Sequence, residues 1–316
     1  MHAARPDQPV AQWQVWAALG IVYVVWGSTY LAIRVMVRTM PPLLAGGTRH
    51  VMAALIIFVL LVLWRGRGAL RMRRSEVIGG AVVGLLLLLG GNGLVVLGEQ
   101  QVPSGLAALI VAVVPLCVVV LRWMFREHIA RGTILGVLAG FIGVAILIVP
   151  EGVSGRVDTI SMLMLVGAAI SWSVGSYMSK RLDMPHEPLA STGVQLIVGG
   201  AALLATGAVT GEQVHPETFG TDSVVALIYL ITFGSVLAYT AYTWVLIHAS
   251  VSRVSTYAYV NPVVAVALGG LLLNEQLDLT MMIGAAVIVV AVWLVIRTEG
   301  RKPSLKSGAV EAEPVA

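Results

Sequence analysis

Charged residues are scarce in this 316-residue sequence: Lys, Arg, Asp and Glu together make up 11% of it. A soluble globular domain has about 25% charged and about 45–50% apolar residues. Here 58% of the residues are hydrophobic and the mean hydropathy is +0.91. This composition excludes a soluble enzyme, a disordered chain and a nucleic-acid-binding domain, so the pI of about 9.4 does not indicate a nucleic-acid partner. The class that remains is an all-α integral membrane protein.

Cysteine is nearly absent, since Cys117 is the only one in the chain. A single cysteine excludes a disulfide framework and a cysteine-based zinc site. An intramembrane enzyme would need paired acids, a metal-binding cluster or a nucleophile with a base. The sequence has no H-E-x-x-H motif, and Cys117 has no evident histidine partner in the middle of a hydrophobic run. An enzyme is therefore the least favoured class, and we expect neither a cofactor nor a metal site.

Long hydrophobic runs, by contrast, fill the chain. A helix that crosses a bilayer needs about 20 mostly apolar residues, and ten such spans are predicted. They cover residues 14–33, 43–63, 77–97, 104–124, 133–149, 160–179, 190–209, 223–246, 254–273 and 280–296. The first span has no small-residue cleavage site after it, so we interpret it as retained rather than as a signal peptide. Residues 1–12 and 298–316 are predicted to be disordered tails.

Basic residues are distributed unevenly between the two sides that ten spans define. If the N-terminus is cytoplasmic, the inner segments carry all of the 20 Lys and Arg residues except Arg34, Arg38, Arg49 and Arg156. Cytoplasmic loops are enriched in Lys and Arg, so both termini are predicted to be cytoplasmic, and the expected location is the bacterial inner membrane. Arg34 and Arg38 run against this rule and would have to extend outward to reach the membrane surface.

The two halves of the sequence resemble each other at an offset of 146 to 148 residues. Trp26 aligns with Trp172, Arg49 with Gln195, Pro115 with Pro262, Glu127 with Glu275 and Gly136 with Gly284. These matches predict two repeats, at 13–150 and 158–297, with five spans in each. Because five is odd, the second repeat enters the membrane from the opposite side. Inverted repeats are typical of secondary transporters, whose substrate sites lie near the midplane between the repeats.

Several motifs support a family resemblance. They are W-G-S-T-Y at 26–30, P-P-L-L-A-G-G-T-R at 41–49, G-N-G at 91–93, V-P-S-G-L-A-A-L-I at 102–110, Y-A-Y-V-N-P-V-V-A-V at 257–266 and N-E at 274–275. With these motifs, residues from about 14 to 297 resemble the drug/metabolite transporter superfamily, specifically the ten-helix EamA-type exporters and their YedA-like branch. The resemblance implies two EamA repeats, a central cavity and export of small metabolites, without specifying a substrate.

Arg49 and His50 are the only charged or titratable groups well inside a span that the sequence singles out. A charge at the membrane centre costs about 2.5–3.5 kcal/mol on insertion scales, so such a group is a candidate functional residue. Arg49 lies about 9 Å deep, at 1.5 Å per residue; it could bind a carboxylate or phosphate in a cavity, or instead pair with a helix end. With the neutral Gln195, it suits a zwitterionic or weakly anionic solute. His50 points about 100° away and is not expected to share the environment of Arg49.

Aromatic and amide side chains complete the predicted cavity. Trp26 and Tyr30 are four residues apart and share a helix face, although aromatic residues near span ends can also anchor the membrane interface. Asn92 and Asn261 are amides in the middle of spans. The predicted cavity residues are Trp26, Tyr30, Arg49, Asn92, Trp172, Gln195, Tyr239, Tyr242, Tyr259 and Asn261.

Two features of the helices could serve motion or packing. Pro115 and Pro262 lack an N–H and leave the carbonyls of Val111 and Ala258 without their helical partners, which predicts either hinges or passive kinks. A second feature is a face of small residues on the fifth span, which allows close backbone approach within the bundle or in a dimer. Its members are Gly132, Gly136, Gly140 and Gly143.

All 16 acidic residues fall at span ends, in loops or in tails. Ion-coupled transporters commonly use a buried Asp or Glu, so a facilitator, or an exchanger without a deep carboxylate, is favoured. Glu99 and His50 remain candidates for proton coupling. The sequence thus predicts a transporter that exports small amino-acid-like or amphipathic solutes by alternating access, as a monomer or homodimer whose partners are its solute and the lipid bilayer. A channel-like facilitator or a lipid flippase is the alternative.

Overall fold

The structure is a computed structural model that describes residues 11–102, 107, 110–148, 158–264 and 279–299, and these residues form helices joined by turns. The helices are α1 (Gln12–Met36), α2 (Pro42–Arg65), α3 (Arg74–Gly98), α4 (Val114–Met124), α5 (Arg131–Ile148), α6 (Thr159–Met178), α7 (Pro188–Val209), α8 (Thr221–His248), α9 (251–264) and α10 (Leu279–Glu299), with 3-10 turns at Arg67–Leu70 and Pro216–Thr218. Among the described residues, seven helices are long and apolar enough to cross a membrane, and α4 and α5 are shorter apolar helices. Most of the predicted tails, Arg156 and the N-E motif at 274–275 lie outside the described residues.

Local sequence signals explain where several helices begin. Pro42 and Pro188 open α2 and α7, positions where the missing N–H of proline is not needed. The Asp158 carboxylate accepts a hydrogen bond from the backbone N–H of Ser161 at 2.9 Å and caps α6. At the other end of the chain, α10 continues through Glu299, two residues into the segment predicted to be a disordered tail. The Thr298 hydroxyl donates to the carbonyl of Leu294 at 2.8 Å and belongs to the last turn of this helix.

Contacts between helices follow a two-fold pattern. Helix α1 packs against α8, and α6, its counterpart in the second repeat, packs against α3, the counterpart of α8. Helices α2 and α7 pack against each other, as do α5 and α10. Exchanging the two repeats therefore converts the α1–α8 contact into the α6–α3 contact, and it leaves the α2–α7 and α5–α10 pairs unchanged. Because five helices separate equivalent positions, the second repeat crosses in the opposite direction. The predicted all-α fold with two inverted five-helix repeats is confirmed.

The third helix of each repeat contains a π-helical segment. These segments are Leu85–Gly93 in α3 and Leu230–Tyr239 in α8, and they begin 145 residues apart. A π-helical turn rotates the side chains that follow it relative to a regular α-helix, and such turns are frequent at functional sites. The sequence analysis did not predict them, and both segments border the central cavity described below.

Helices α2 and α7 approach each other at glycine residues. A Cβ on Gly47 would lie 2.8 Å from the carbonyl oxygen of Gly200, and a Cβ on Gly200 would lie 3.0 Å from that of Gly47. Such close backbone packing is a main source of cohesion between helices in lipid, where burial from water contributes little. The contact holds together the two helices that carry Arg49 and Gln195.

The two ends of the bundle differ in charge. The basic end, where α1 begins and α10 ends, contains an ion network that joins the repeats. The Arg122 Nε lies 2.9 Å from Glu127 Oε2, and its Nη1 lies 2.7 Å from Glu299 Oε1; Arg181 also pairs with Glu127. The opposite end carries Arg34 and Arg38, and both residues are exposed.

Candidate functional site

A cavity of about 70 Å³ lies between the repeats. Helices α1, α3, α6, α8 and α9 contribute to it, together with Arg49 from α2. Seven of the ten predicted cavity residues line it: Trp26, Tyr30, Arg49, Asn92, Trp172, Tyr239 and Asn261. The predicted shared face of Trp26 and Tyr30 is present, and it is extended by Thr29 and Ile33 on the same helix. We call this space the central cavity.

Arg49 is held at the edge of the central cavity with its charge uncompensated by the residues described. The side chain is 4% exposed. Its Nε donates a hydrogen bond to Ser235 Oγ at 2.8 Å, and its Nη2 lies over Gly234, where a Cβ would be 2.9 Å away. No Asp or Glu carboxylate of the described residues forms an ion pair with it. A buried cation without a counter-ion is costly, so the site suits an anionic group.

His50 is closer to Arg49 than expected from its position on α2. Its side chain is 1% exposed, and its Nδ1 lies 3.4 Å from Ser235 Oγ, the same oxygen that accepts the Arg49 hydrogen bond. The expectation that the two side chains occupy separate environments is therefore wrong. It considered only the rotation between neighbours on α2, whereas Ser235 from the π-helical segment of α8 reaches both.

Aromatic rings form the wall of the central cavity toward the basic end. The rings of Trp26 and Trp172 meet edge to face with centroids 5.4 Å apart, and Trp26 also lies 4.9 Å from Tyr242 and 5.0 Å from Tyr257. Both indole N–H groups are satisfied: Trp26 donates to the carbonyl of Gly234 at 3.2 Å and Trp172 to Tyr242 Oη at 2.9 Å. These bonds fix the orientation of the rings, which present an apolar surface to a solute.

Three predicted cavity residues lie outside the central cavity. Tyr242 lies behind the rings of Trp26 and Trp172, and its hydroxyl oxygen is 2.5 Å from Ser176 Oγ. Tyr259 faces the opposite way and donates to the carbonyl of Val137 on α5 at 2.7 Å, because it stands about 200° around the helical stretch 257–264 from Tyr257, which lines the cavity. Gln195 borders a separate pocket toward the basic end.

The two predicted amides lie beside the central cavity. Asn92 is half-buried in the π-helical segment of α3. Asn261 is 2% exposed, and its Oδ1 has no hydrogen-bond partner among the described residues. Buried polar atoms are nearly always paired, so this oxygen is available to a donor on a bound solute or water.

Each predicted hinge proline follows an interruption of its helix. Residues 112–113 form a turn, and Pro115 then stands in the first turn of α4. Pro262 lies within the helical stretch 257–264, after the turn at 255–256. The hinge role of Pro115 and Pro262 stays a prediction.

Glu99 lies just after α3, at the end of the bundle opposite the basic end. Its side chain is 3% exposed, and neither carboxylate oxygen has a hydrogen-bond partner among the described residues. Burial raises the pKa of Glu99 well above its usual value, and the nearby charge of Arg34 only partly opposes this. Glu99 borders a pocket that also contains Arg34 and Arg38, so it is separate from the central cavity.

Sequence reasoning missed several residues of the site, among them Ser235 and Thr29. Ser235 organises Arg49 and His50, and Thr29 lines the cavity and donates to the carbonyl of Trp26 at 2.8 Å. The sequence signal that could have identified Ser235 and Thr29 was their spacing from residues that were predicted to line the cavity. Ser235 lies four residues before Tyr239 and beside Gly234, and Thr29 lies within W-G-S-T-Y.

Comparisons with known proteins agree with this architecture. The EamA-like transporter family matches the chain twice, over residues 13–149 and 159–297. The inner membrane transporter YedA of Escherichia coli K12 is 36% identical over 284 residues, which cover 89% of this chain and 90% of YedA. The transporter YvbV of Bacillus subtilis is 26% identical over 88% of this chain and 90% of its own length.

A plant protein and a protein of known structure are also similar to the chain. A WAT1-related chloroplastic protein of Arabidopsis thaliana is 28% identical over 90% of this chain and 70% of its own length. A protein of known crystal structure superimposes with a TM-score of 0.76 at 18% identity, covering 92% of this chain and 99% of its own. The protein is thus a multi-pass inner membrane transporter rather than an enzyme, and the chain belongs to the EamA-like transporter family.

Proposed function

We propose that the protein exports small, carboxylate-bearing metabolites such as amino-acid-like solutes, with Arg49 as the group that binds the carboxylate. The observation that carries this proposal is the position of Arg49 beside the central cavity, with no acidic partner among the described residues. A solute carboxylate would supply the missing negative charge and accept two parallel N–H hydrogen bonds from a guanidinium.

The rest of the wall supports an amphipathic solute. Asn92 and Asn261 offer neutral polar atoms, while Trp26 and Trp172 offer apolar ring surface. Ligand sites usually combine mostly apolar walls with a few polar groups that fix the orientation of the ligand. An amino acid or a related compound has both a charged end and an apolar body, and it fits this division.

The size of the central cavity supports transport by alternating access. Its volume of about 70 Å³ is well below the roughly 300–1,000 Å³ of ligand pockets. The helices must therefore move apart to admit a solute. The paired contacts α1–α8 and α3–α6 provide two equivalent arrangements that could exchange. The basic end, which carries the ion network, is proposed to be cytoplasmic because Lys and Arg concentrate on the cytoplasmic side.

Transport into everted membrane vesicles tests the proposal. A panel of radiolabelled amino acids and their uncharged amides is compared in the parent protein, Arg49→Gln and Arg49→Lys. Hydrogen bonds to a charged group contribute about 1.5–3 kcal/mol, so Arg49→Gln should lower kcat/KM for carboxylates by about tenfold to a hundredfold. The kcat/KM of Arg49→Lys for carboxylates should lie between those of the parent protein and of Arg49→Gln, because an ammonium keeps the charge but not the planar fork of hydrogen-bond donors.

The matched control is Arg34→Gln, which removes an arginine from the exposed opposite end of α1. It should leave the preference for carboxylates over amides unchanged. If Arg49→Gln transported carboxylates at the parent rate, the proposed role of Arg49 would be wrong.

A further inference from the structure

A second and larger cavity lies at the basic end, between the α6–α7 connection, α7 and α8. Its volume is about 390 Å³. We call this space the vestibule. Its polar lining residues include Lys180, Ser191, Gln195 and Thr243, and none of the described residues that line it is acidic. His186 at its rim is paired with Glu76, with Nε2 and Oε1 3.2 Å apart. Lys180 donates to the carbonyl of Ala249; it forms no ion pair with a carboxylate of the described residues, although Glu127 and Glu299 of the ion network lie near enough to act on it. Lys180 therefore brings a positive charge to this wall.

One hydrogen-bonded pair separates the vestibule from the central cavity. Tyr239 lines the central cavity, and Gln195 lines the vestibule. The Tyr239 hydroxyl donates to Gln195 Oε1 at 2.9 Å, and each residue is 2% exposed. Gln195 Nε2 donates in turn to Ser191 Oγ at 3.1 Å on the vestibule side. The two spaces therefore meet at a partition that is one pair of side chains thick.

The partition is linked to Arg49 through helix α8. Gln195 is the counterpart of Arg49 in the second repeat, and each of them bonds to α8: Arg49 to Ser235 and Gln195 to Tyr239. Ser235 and Tyr239 are four residues apart in the same π-helical segment. A displacement of this segment would change both bonds together, so the state of the partition and the position of Arg49 are coupled.

We propose that the vestibule is a second binding site for the carboxylate-bearing solute, and that the Tyr239–Gln195 pair is the gate between it and the central cavity. The inference rests on the proposed function. Lys180 attracts the carboxylate at the basic end, Ser191 and Gln195 offer neutral hydrogen-bonding groups along the way, and Arg49 receives the carboxylate beyond the gate. The path thus offers a cation at each end and no acidic side chain among its described lining residues.

Thiol labelling tests the charge of the vestibule without any transported solute. In a Cys117→Ser background, Ser191→Cys is labelled with anionic 2-sulfonatoethyl methanethiosulfonate and with its cationic trimethylammonium analogue, and each rate is divided by the rate with free 2-mercaptoethanol. A unit charge at about 6 Å in water changes the local concentration of a singly charged reagent by about threefold. Lys180→Gln should therefore lower the ratio of anionic to cationic labelling by about tenfold.

The control for this measurement is Arg67→Gln, which removes a positive charge from an exposed turn at the same end. It should leave the labelling ratio of Ser191→Cys unchanged. A ratio that does not respond to Lys180→Gln, or that responds equally to both changes, would overturn the vestibule as an anion-binding site.

A second labelling experiment tests the gate. Val95→Cys reports on the central cavity, and sealed vesicles are prepared in the orientation in which Arg67→Cys reacts with the membrane-impermeant anionic reagent. Tyr239→Phe removes the hydrogen bond to Gln195 but keeps the ring, and it should raise the labelling rate of Val95→Cys several-fold. Tyr229→Phe is the matched control: it lies on the same helix, and its hydroxyl oxygen is 2.5 Å from Ser28 Oγ instead.

The two variants separate the gate from a general loosening of α8. A rate that stays at the parent value in Tyr239→Phe, or that rises equally in Tyr229→Phe, would overturn the gate. Because neither labelling experiment uses the solute, its outcome is independent of the transport assay. The labelling experiments can therefore contradict the vestibule and the gate even if the transport assay shows that Arg49 is essential. Equally, they can support the vestibule and the gate even if Arg49 proves unnecessary for transport.

Discussion

Trp26 and Trp172 occupy equivalent positions in the two repeats, and their rings contact each other edge to face, with centroids 5.4 Å apart and an angle of 83° between their planes. A contact between equivalent residues lies where the two repeats meet. The central cavity lies directly beside this contact, since both rings line it. The Trp pair therefore joins the repeats at the point where a solute would have to pass between them.

The first prediction concerns the energy of this contact. Aromatic pairs of this geometry contribute about 0.5–1.5 kcal/mol beyond the burial of their area. A double-mutant cycle with Trp26→Leu and Trp172→Leu should give a coupling energy in that range, measured as the free energy of unfolding in detergent. The control cycle combines Trp26→Leu with Trp293→Leu, an exposed residue of α10, and should be additive to within about 0.5 kcal/mol. Additive effects in both cycles would contradict the prediction.

The sequence predicted the equivalence of Trp26 and Trp172 because repeats preserve spacing along the chain. It also predicted the all-α fold and the two repeats, since long apolar runs and their basic flanks are local properties that do not depend on packing. Arg49 could be singled out for a similar reason. A charge within a span is costly wherever its neighbours lie, so it is conspicuous before any contact is known.

The sequence could not predict features that depend on the direction of a side chain after an irregular turn. The π-helical segment Leu230–Tyr239 brings Ser235 to both Arg49 and His50, and regular helical periodicity does not anticipate this. Tyr259 was assigned to the cavity on depth alone, but the face of its helix that lines the cavity is the one that carries Tyr257 and Asn261, and Tyr259 on the other side of that helix reaches α5.

The second prediction concerns the buried carboxyl of Glu99. Burial raises its pKa in the folded protein above the usual value of 4.5. Below pH 4.5 the carboxyl is protonated in both the folded and unfolded states and has no effect on their difference. As pH rises from 4.5 toward the raised pKa, the unfolded state loses its proton first and the native state becomes less stable. Glu99→Gln should therefore raise the melting temperature at pH 7 but change it little at pH 4.

The control for Glu99 is Glu217→Gln, which removes an exposed carboxylate from the same end of the bundle. Its melting temperature should follow that of the parent at both pH values. If Glu99 also carries a coupled proton, transport by Glu99→Gln will lose its dependence on pH. Equal melting shifts for Glu99→Gln at pH 4 and pH 7 would show that the carboxyl does not titrate as its burial implies.

The third prediction concerns the ion network at the basic end. Burial acts to raise the pKa of Glu127, but hydrogen bonds from Arg181, Arg122 and Tyr177 outweigh it, and the pKa lies below the usual 4.5. A carboxylate with a lowered pKa stabilises the folded state above pH 4.5, and this stabilisation is lost as pH falls through the lowered value. Glu127→Gln should reduce the melting temperature at pH 7 and flatten its decline below pH 4.5.

Salt provides an independent check on Glu127, because its side chain is 31% exposed and partly exposed ion pairs are screened by ions. Raising NaCl from 0.05 to 1 M should narrow the difference in melting temperature between the parent and Glu127→Gln at pH 7. A difference that is the same at both salt concentrations would indicate that Glu127 acts through packing instead of charge.

The fourth prediction concerns the small-residue face of α5, which packs within the chain against α10. A Cβ on Gly136 would lie 2.7 Å from Val295 Cγ2 and 3.0 Å from the carbonyl oxygen of Ala291. The backbone of α10 cannot move away without separating the two helices, so Gly136→Ala should reduce the free energy of unfolding by about 1–3 kcal/mol. The measurement is unfolding in detergent.

Gly20→Ala is the matched control, because a Cβ on Gly20 of α1 would meet nothing within 4 Å. Alanine favours a helix over glycine by about 0.8–1.0 kcal/mol in water, so this change should be neutral or stabilising. The same substitution in two transmembrane helices is thus expected to have opposite signs, and steric contact with α10 accounts for the difference. If Gly136→Ala instead left stability unchanged and altered the oligomeric state, the face would serve contacts between two copies of the chain.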